Sequence, residues 1–173
     1  MRNFLIALFA CSVPLFAQNR PAPPSFACGN LHLSLAVDLD NSSHRVPAPE
    51  AGKARIVFIQ ETGQTTNWGY LTTKIGIDGV WVGANRKNSY FSVPVSPGEH
   101  HLCLALQSAF ARFAPQVIEL AHVNAEAGQT YYFRSRIFDS EHGPQYLVFD
   151  PIDSDEAKYL VASYPLSTSR PKK

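Results

Sequence analysis

The sequence predicts an all-β fold, an antiparallel β-sandwich of about seven to eight strands with a short C-terminal helix. Apolar and polar residues alternate along most of the chain, which is typical of strands that bury one face. Gly, Pro, Asn and Asp interrupt these stretches at short intervals, as turns between antiparallel strands require. The chain has 173 residues, of which 45% are hydrophobic and 17% charged, which suits a single domain with its own core.

An export signal is predicted at the N-terminus. One Arg precedes an apolar run from Phe4 to Ala17, and polar, proline-rich sequence follows it, as in a secretory signal peptide. We expect residues 1–17 to be cleaved off, residues 18–27 to form a proline-rich linker, and the protein to be periplasmic or secreted. The run is shorter than the about twenty residues of a membrane span, and no later segment is long enough, so no transmembrane helix is expected.

A lipoprotein is the alternative to a cleaved, unanchored protein. Residues 8–11 (LFAC) resemble a lipoprotein box, in which Cys11 would carry the lipid anchor. Phe9 is bulky for such a box, and the apolar run before Cys11 is only seven residues long. These departures favour cleavage after Ala17.

Alternation and β-branched residues predict the first two strands. Residues 31–39 (LHLSLAVDL) place five apolar side chains on one face and polar side chains on the other. Residues 41–53 have the Pro, Gly and Ser content of a loop. Residues 54–60 (ARIVFIQ) are almost continuously apolar, which indicates a more central strand.

A hairpin and a further strand follow. Asp78 and Gly79 lie between two apolar alternations, and Asp-Gly favours the type I′ turn of a two-residue hairpin. Trp81 lies in the second arm, where we expect it in the core rather than at a ligand. Residues 89–95 (SYFSVPV) form the next strand, and Pro94 within it has no N–H to donate, which argues for an edge position or a bulge.

Four more strands and one helix complete the predicted domain. The strands are residues 99–107, 116–123, 130–138 and 145–150. The helix is predicted over residues 153–164, where Asp153 and Glu156 have a spacing like that of a capping box. We therefore predict a single domain over residues 28–164 and a disordered tail over residues 165–173.

Two cysteines remain after cleavage, Cys28 and Cys103. In an oxidising compartment they are expected to form a disulfide, whose loop of 75 residues would stabilise the fold by roughly 4 kcal/mol before strain. The alternative is that Cys103 is a reactive thiol, or a metal ligand beside His101. Adjacent His100 and His101 point to opposite faces of a strand, so a metal site is disfavoured, and we expect no metal or cofactor.

Aromatic and basic side chains supply the candidate ligand contacts. Trp68 and Tyr70 lie in a loop, where exposed aromatic rings could stack on a sugar or peptide; for Trp68 a core position is equally open. Arg134 and Arg136 share a strand face with Tyr132 and could hold a carboxylate or phosphate, or could simply form a solvated outer face. The formal net charge is +1, with no basic stripe beyond the terminal RPKK, so nucleic acid is not an expected partner.

Three segments in a fixed order resemble a known family. These are the hairpin IGIDGVWVG, the segment SYFSVPVSPGEHHL and the strand AEAGQTYYFR. Together they resemble the bacterial domain-of-unknown-function family numbered 2846, over roughly Lys53 to Asp150. The resemblance implies a β-domain that is exported or lipoprotein-like, and it brings no catalytic residue and no established activity.

The sequence favours a non-catalytic module of the cell envelope that binds a protein, a glycan or a small ligand. The alternative is a structural or assembly protein that pairs with its partner through an edge strand such as residues 89–95. A hydrolase is less favoured and we expect no enzyme, because the chain has no G-x-S-x-G motif. The residue types for a triad are nevertheless present at Ser89, His100, His101, Asp150 and Asp153.

Overall fold

The computed structural model describes residues 27–62, 71–107, 117–138 and 146–172, which form two β-sheets and one helix. The predicted signal peptide, including Cys11, and the loop with Trp68 and Tyr70 lie outside these residues. The elements are β1 (Leu35–Asp40), β2 (Ala54–Thr62), β3 (Thr72–Ile77), β4 (Val80–Arg86), β5 (Ser89–Val95), β6 (Gly98–Gln107), β7 (Ile118–Ala125), β8 (Thr130–Phe138), β9 (Tyr146–Pro151), α1 (Ser154–Ser163) and β10 (Leu166–Pro171). No helix among these residues is long and apolar enough to cross a membrane.

The strands form a six-stranded sheet in the order β1-β10-β5-β2-β8-β9 and a four-stranded sheet in the order β4-β3-β6-β7. The predicted antiparallel-only arrangement is wrong, because the six-stranded sheet is mixed. β2 and β8 pair in parallel from Arg55↔Thr130 to Thr62↔Ile137. Between these two strands the chain passes through the whole four-stranded sheet, so β8 can re-enter beside β2 running in the same direction.

The main core lies between the two sheets. Four phenylalanines from four strands meet at its centre, with ring centroids 5.3 Å apart for Phe58 and Phe91 and 5.4 Å apart for Phe133 and Phe149. Leu102 and Leu104 of β6 pack against them from the four-stranded sheet. The apolar alternation that predicted the strands is therefore the inner face of a two-layer stack.

Helix α1 covers the outer face of the six-stranded sheet. Its buried residues Ala157, Leu160 and Val161 pack against Val57 and Tyr90. The Asp153 carboxylate accepts hydrogen bonds from the backbone N–H groups of residues 155 and 156 at 2.8 and 2.9 Å, which satisfies donors in the first turn. The prediction of a short C-terminal helix capped by Asp153 is confirmed.

The predicted disordered tail is wrong for residues 166–171, which form β10 inside the six-stranded sheet. β10 pairs with β1 along its whole length, from Leu166↔Asp40 to Pro171↔Leu35. Ser167 is buried and donates from Oγ to the Ala84 carbonyl and to Asn85 Oδ1. A polar strand that is held by backbone and hydroxyl hydrogen bonds carries no apolar alternation by which it could be predicted.

Local signals in the turns agree with the structure. Asp78 and Gly79 have φ angles of 50° and 84°, so the hairpin between β3 and β4 has the predicted turn. β5 lies inside the six-stranded sheet, yet it meets β10 only at Leu166↔Tyr90. Pro94 therefore lies on a stretch of β5 that has β2 alone as its partner, and the missing N–H breaks no hydrogen bond.

Residues 27–34 cross the outer face of the four-stranded sheet before β1 begins. The predicted strand over residues 31–39 therefore begins only at Leu35, and residues 31–34 are not part of a strand. Gly76 of β3 lies directly beneath it, and a Cβ at that position would come within 2.6 Å of the Ala27 carbonyl oxygen. The close approach of this N-terminal segment to the sheet thus requires glycine.

Candidate functional site

A disulfide joins the N-terminal segment to the four-stranded sheet. Cys28 and Cys103 are bonded, with their Cα atoms 5.1 Å apart, which confirms the predicted pairing. Cys103 is fully buried, and Ala27, Trp81 and Ile118 pack around the bridge. The alternative of a free thiol or metal ligand at Cys103 is wrong, because its sulfur is bonded to Cys28.

Lys74 and Trp81 also hold the N-terminal segment. Lys74 Nζ donates to the carbonyl oxygens of Leu31 and Leu33 at 3.0 and 2.8 Å and lies 4.5 Å from the centre of the Trp81 ring. Burial lowers the pKa of this ammonium group. Trp81 Nε1 donates a hydrogen bond to the Asn30 carbonyl. The expected core position of Trp81 is therefore wrong, because the ring is half-buried on the outer face of the four-stranded sheet and does not lie between the two sheets.

His100 has hydrogen-bond acceptors at both ring nitrogens. Nδ1 lies 2.6 Å from Asp78 Oδ2, and Nε2 lies 2.8 Å from the Ser96 carbonyl oxygen. Burial opposes the charged imidazole, but these two hydrogen bonds outweigh it, and the pKa of His100 is raised. Burial likewise opposes ionised Asp78, but hydrogen bonds from His100 and from the His101 backbone lower its pKa.

His101 and His122 are neighbours on adjacent strands of the four-stranded sheet. His101 is exposed and pairs across the strands with His122 on β7. In the described part of the chain, no group of three or more His, Cys, Asp or Glu side chains could hold a metal ion.

Carboxylates engage both arginines that were proposed as ligand contacts. Arg134 Nη1 bridges Glu61, at 3.5 Å, and Glu156 of α1, which fastens the helix to the sheet. Arg136 Nη2 lies 3.1 Å from Asp150 Oδ2. The side chain of Arg134 is only 16% exposed, so the face that it shares with Tyr132 lies against α1 rather than in open solvent.

The side chains of the hypothetical triad have separate partners. Ser89 Oγ is buried and donates to Asn85 Oδ1 at 3.3 Å. His100 pairs with Asp78, Asp150 pairs with Arg136, and Asp153 caps α1. Ser89 and His100 also lie on different sheets.

One concave surface lies between β7 and β8, on the side where β7 also approaches β9, and we call it the β7 groove. It has a volume of about 540 Å³ and is lined by residues 121–123 of β7, residues 130–133 of β8, and residues 151, 152 and 154. The lining is mainly apolar and includes Tyr131 and Tyr132. The Tyr131 hydroxyl is fixed in place because it accepts a hydrogen bond from the Glu126 N–H at 3.0 Å.

β7 presents a free backbone edge along this groove. It is the last strand of the four-stranded sheet, and within the described residues it pairs only with β6. Leu106 N–H donates to the Val117 carbonyl, and this bond fixes which residues of β7 bond to β6. By the alternation of an antiparallel ladder, residues 118, 120, 122 and 124 direct their N–H and C=O groups outward.

A second concave surface, the β5 cleft, opens where β10 diverges from β5. It has a volume of about 440 Å³ and is lined by residues 91–93 of β5, 166–169 of β10, 82–83 of β4, Arg55 of β2, and residues 43, 45 and 47. Five of these lining residues carry hydroxyl groups, and two are arginines. Arg55 is buried, with 6% of its surface exposed.

The sequence reasoning identified neither concave surface, because each is formed by strands that are distant along the chain. One signal was present: Arg55 is the only charged residue in the otherwise apolar or neutral stretch ARIVFIQ. A charged side chain in a strand that is predicted to be central needs a charged or hydrogen-bonding partner, because an unpaired buried charge is costly.

Comparison with known proteins gives one match. The family model described as Protein of unknown function (DUF2846) matches residues 50–146. No curated protein and no solved structure matches the chain.

Proposed function

We propose, from the premise that the chain belongs to the family Protein of unknown function (DUF2846), that it is a non-catalytic binding module of the bacterial cell envelope. It would be exported by its N-terminal signal and would hold an extended segment of a partner protein along β7. The observation that carries this proposal is the free edge of β7 beside an aromatic groove. Backbone groups of such an edge give affinity, and side-chain pockets next to it give specificity.

The composition of β7 supports strand addition. Proteins usually protect edge strands with Lys, Pro, a bulge or a covering element. β7 (IELAHVNA) contains neither Lys nor Pro, and its register with β6 is regular from Ile118 to Ala125. Leu120 is 46% exposed on this strand. An edge of this kind favours pairing with another chain.

The groove supplies places for the side chains of an added strand. Side chains of an extended peptide alternate between two faces, so every second one would point toward β8. Tyr131 and Ile152, which are both half-buried, offer an apolar surface there. A glycan is the alternative occupant, because tyrosine rings can stack on sugars.

Peptide selection and one backbone variant test the proposal. A displayed library of random 12-residue peptides would be selected on the purified protein, and affinities would be measured by fluorescence anisotropy. Leu120→Pro removes an outward N–H without removing a hydrogen bond to β6, so we expect it to weaken peptide binding about tenfold or more. Leu120→Ala keeps the N–H and serves as the matched control.

The two variants separate a backbone effect from a side-chain effect. Thermal unfolding followed by circular dichroism checks that both variants are folded. Equal binding by Leu120→Pro and Leu120→Ala would show that pairing along β7 is wrong. Binding to an oligosaccharide array that Tyr131→Ala abolishes and Leu120→Pro leaves intact would establish the glycan alternative.

A further inference from the structure

We propose that the β5 cleft is a binding site for a carboxylate group, which the Arg55 guanidinium would hold. This site is separate from the β7 groove: the cleft opens between β5 and β10, whereas the groove lies beyond β8 on the other side of β2. The inference therefore does not depend on the proposed function.

The cleft exists because β10 leaves β5 after a single residue pair. Leu166 pairs with Tyr90, and from there β10 follows β1. Ser167 then turns its hydroxyl to β4, where it bonds to the Ala84 carbonyl and to Asn85. The result is a gap along one side of β5, with Phe91 in its floor.

Arg55 brings a buried positive charge to this gap with an incomplete set of acceptors. A guanidinium has five N–H donors. Nη1 donates to Ser92 Oγ at 3.1 Å, and Nη2 lies 3.8 Å from Glu50 Oε1, which is too far for a hydrogen bond. Nε is buried and has no hydrogen-bond partner among the described residues. Because a buried charge is costly without close acceptors, this group favours an incoming oxyanion.

Other arginines of the same sheet are better satisfied. The Nε atoms of Arg134 and Arg136 also lack a hydrogen-bond partner among the described residues, but each of these arginines bonds to a carboxylate through an Nη atom, at Glu156 and Asp150. The Glu50 carboxylate near Arg55 is 64% exposed in its side chain and sits at longer range. Arg55 therefore differs from its neighbours in having a cavity, rather than a close carboxylate, beside its guanidinium.

The rest of the lining suits a negatively charged ligand. Arg45 adds a second positive charge, and the described residues of the cleft lining include no Asp or Glu. Ser92 and Thr168 add hydroxyl donors, whereas Val82 and Phe91 form an apolar base. With one buried guanidinium, the planar carboxylate is the best fit, since it can accept two N–H bonds from a guanidinium group.

Two sources could supply that carboxylate, an acidic sugar or the C-terminus of a peptide. The probes are therefore galacturonate and N-acetyl-Ala-Ala, each compared with its neutral form, the methyl ester or the amide. Binding would be followed on the full chain by the NMR resonance of the Arg55 Nε–H, which Arg55→Lys identifies by its loss. We expect this resonance to shift with the acids and not with the neutral forms.

A substitution beside the site tests the electrostatic part without removing Arg55. Glu50 competes for the same guanidinium, so Glu50→Gln should tighten binding of the acid about threefold. Glu126→Gln makes the same charge change at an exposed turn between β7 and β8 and serves as the matched control. Added salt should weaken binding in the wild type.

Each outcome decides the proposal. A shift with galacturonate alone supports it with an acidic sugar as the source, a shift with N-acetyl-Ala-Ala alone supports it with a peptide C-terminus, and a shift with both supports recognition of the bare carboxylate. No shift at Arg55, or an equal shift with the neutral forms, overturns it. Binding that Glu50→Gln tightens no more than Glu126→Gln also overturns it.

Discussion

At the scale of single residues, we expect the contact between His100 and Asp78 to make the stability of the fold depend on pH. Asp78 lies in the turn between β3 and β4. Its carboxylate accepts hydrogen bonds from the His100 ring and from the His101 backbone N–H. One side chain therefore ties that turn to the beginning of β6. Sequence reasoning places His100 and His101 on opposite faces of a strand and does not anticipate this contact.

We predict that the stabilising effect of His100 declines as the pH rises. Its pKa is raised above the ordinary value of 6.5, so its contribution is complete below about pH 6.5 and is lost as the pH passes the folded-state pKa. The Asp78 contribution runs the other way: its pKa is lowered from 3.8, so stability is lost as the pH falls through that lower value. Because Asp78 is exposed, we expect the pair to contribute less than about 1 kcal/mol to the free energy of unfolding.

Urea unfolding of the wild type and of His100→Gln at several pH values measures this effect. The difference in the free energy of unfolding between the two proteins should shrink as the pH rises above about 6.5. His122→Gln, which replaces an exposed histidine on β7, is the control. A difference that stays constant over this range would contradict the assigned role of the charged imidazole.

At the scale of secondary-structure elements, β10 makes the C-terminal residues part of the six-stranded sheet. It separates β1 from β5, and its buried Ser167 joins the six-stranded sheet to β4. We predict that Ser167→Ala lowers the free energy of unfolding by about 1 to 3 kcal/mol, because it leaves the Ala84 carbonyl and Asn85 short of a donor. Thr168→Ala, at the next and exposed position, should change it by less than about 0.5 kcal/mol.

Chemical denaturation of the two variants provides the comparison. Equal and negligible effects would mean that residues 166–171 behave as a tail after all. A large loss in both variants would instead indicate that the strand tolerates no substitution, and would remove the specific role of the Ser167 hydroxyl.

Sequence reasoning succeeded for elements that local chemistry specifies. The Asp-Gly hairpin, the strand at Ser89–Val95 and the helix capped by Asp153 each carry their own signal within a few residues. It failed where pairing partners are distant: nothing near β2 indicates that β8 will lie parallel to it, and nothing in LSTSRP indicates a strand. The two concave surfaces depend on those distant pairings, and so they could not be predicted.

At the scale of the whole molecule, the disulfide fixes the N-terminal segment to the opposite sheet from the one that β1 joins. Residues 27–34 lie on the four-stranded sheet, and β1 then enters the six-stranded sheet. The covalent loop from Cys28 to Cys103 spans 75 residues and includes β1 to β5 and the first part of β6. Constraining a loop of this length restricts the unfolded chain strongly.

We predict that reduction of the wild-type protein lowers its free energy of unfolding by up to roughly 4 kcal/mol. Urea unfolding with and without a phosphine reductant measures this, and it compares identical side chains, so no cavity complicates the result. Coincident unfolding curves, with free thiols confirmed by alkylation, would contradict the prediction.

The intact mass of the protein purified from its host tests the disulfide and the predicted export together. An exported and processed chain should have the intact mass of a polypeptide that starts at Gln18, less two hydrogens. A diacylglycerol adduct at Cys11 would instead establish the lipoprotein alternative, and an uncleaved chain with free thiols would contradict export.

The bridge at Cys103 also sets the path that a mechanical load takes through the domain. Cys103 lies in β6, which has β3 on one side and β7 on the other. Tension applied at Ala27 passes through the sulfur atoms into this interior strand and bypasses the stretch from Gly29 to β1. Because β6 is hydrogen-bonded on both sides, pulling it from the sheet must break bonds to two neighbours, and forced unfolding depends on the rate of that step. A module tethered by its N-terminus and gripped by a partner at β7 would therefore carry the strain between two adjacent strands.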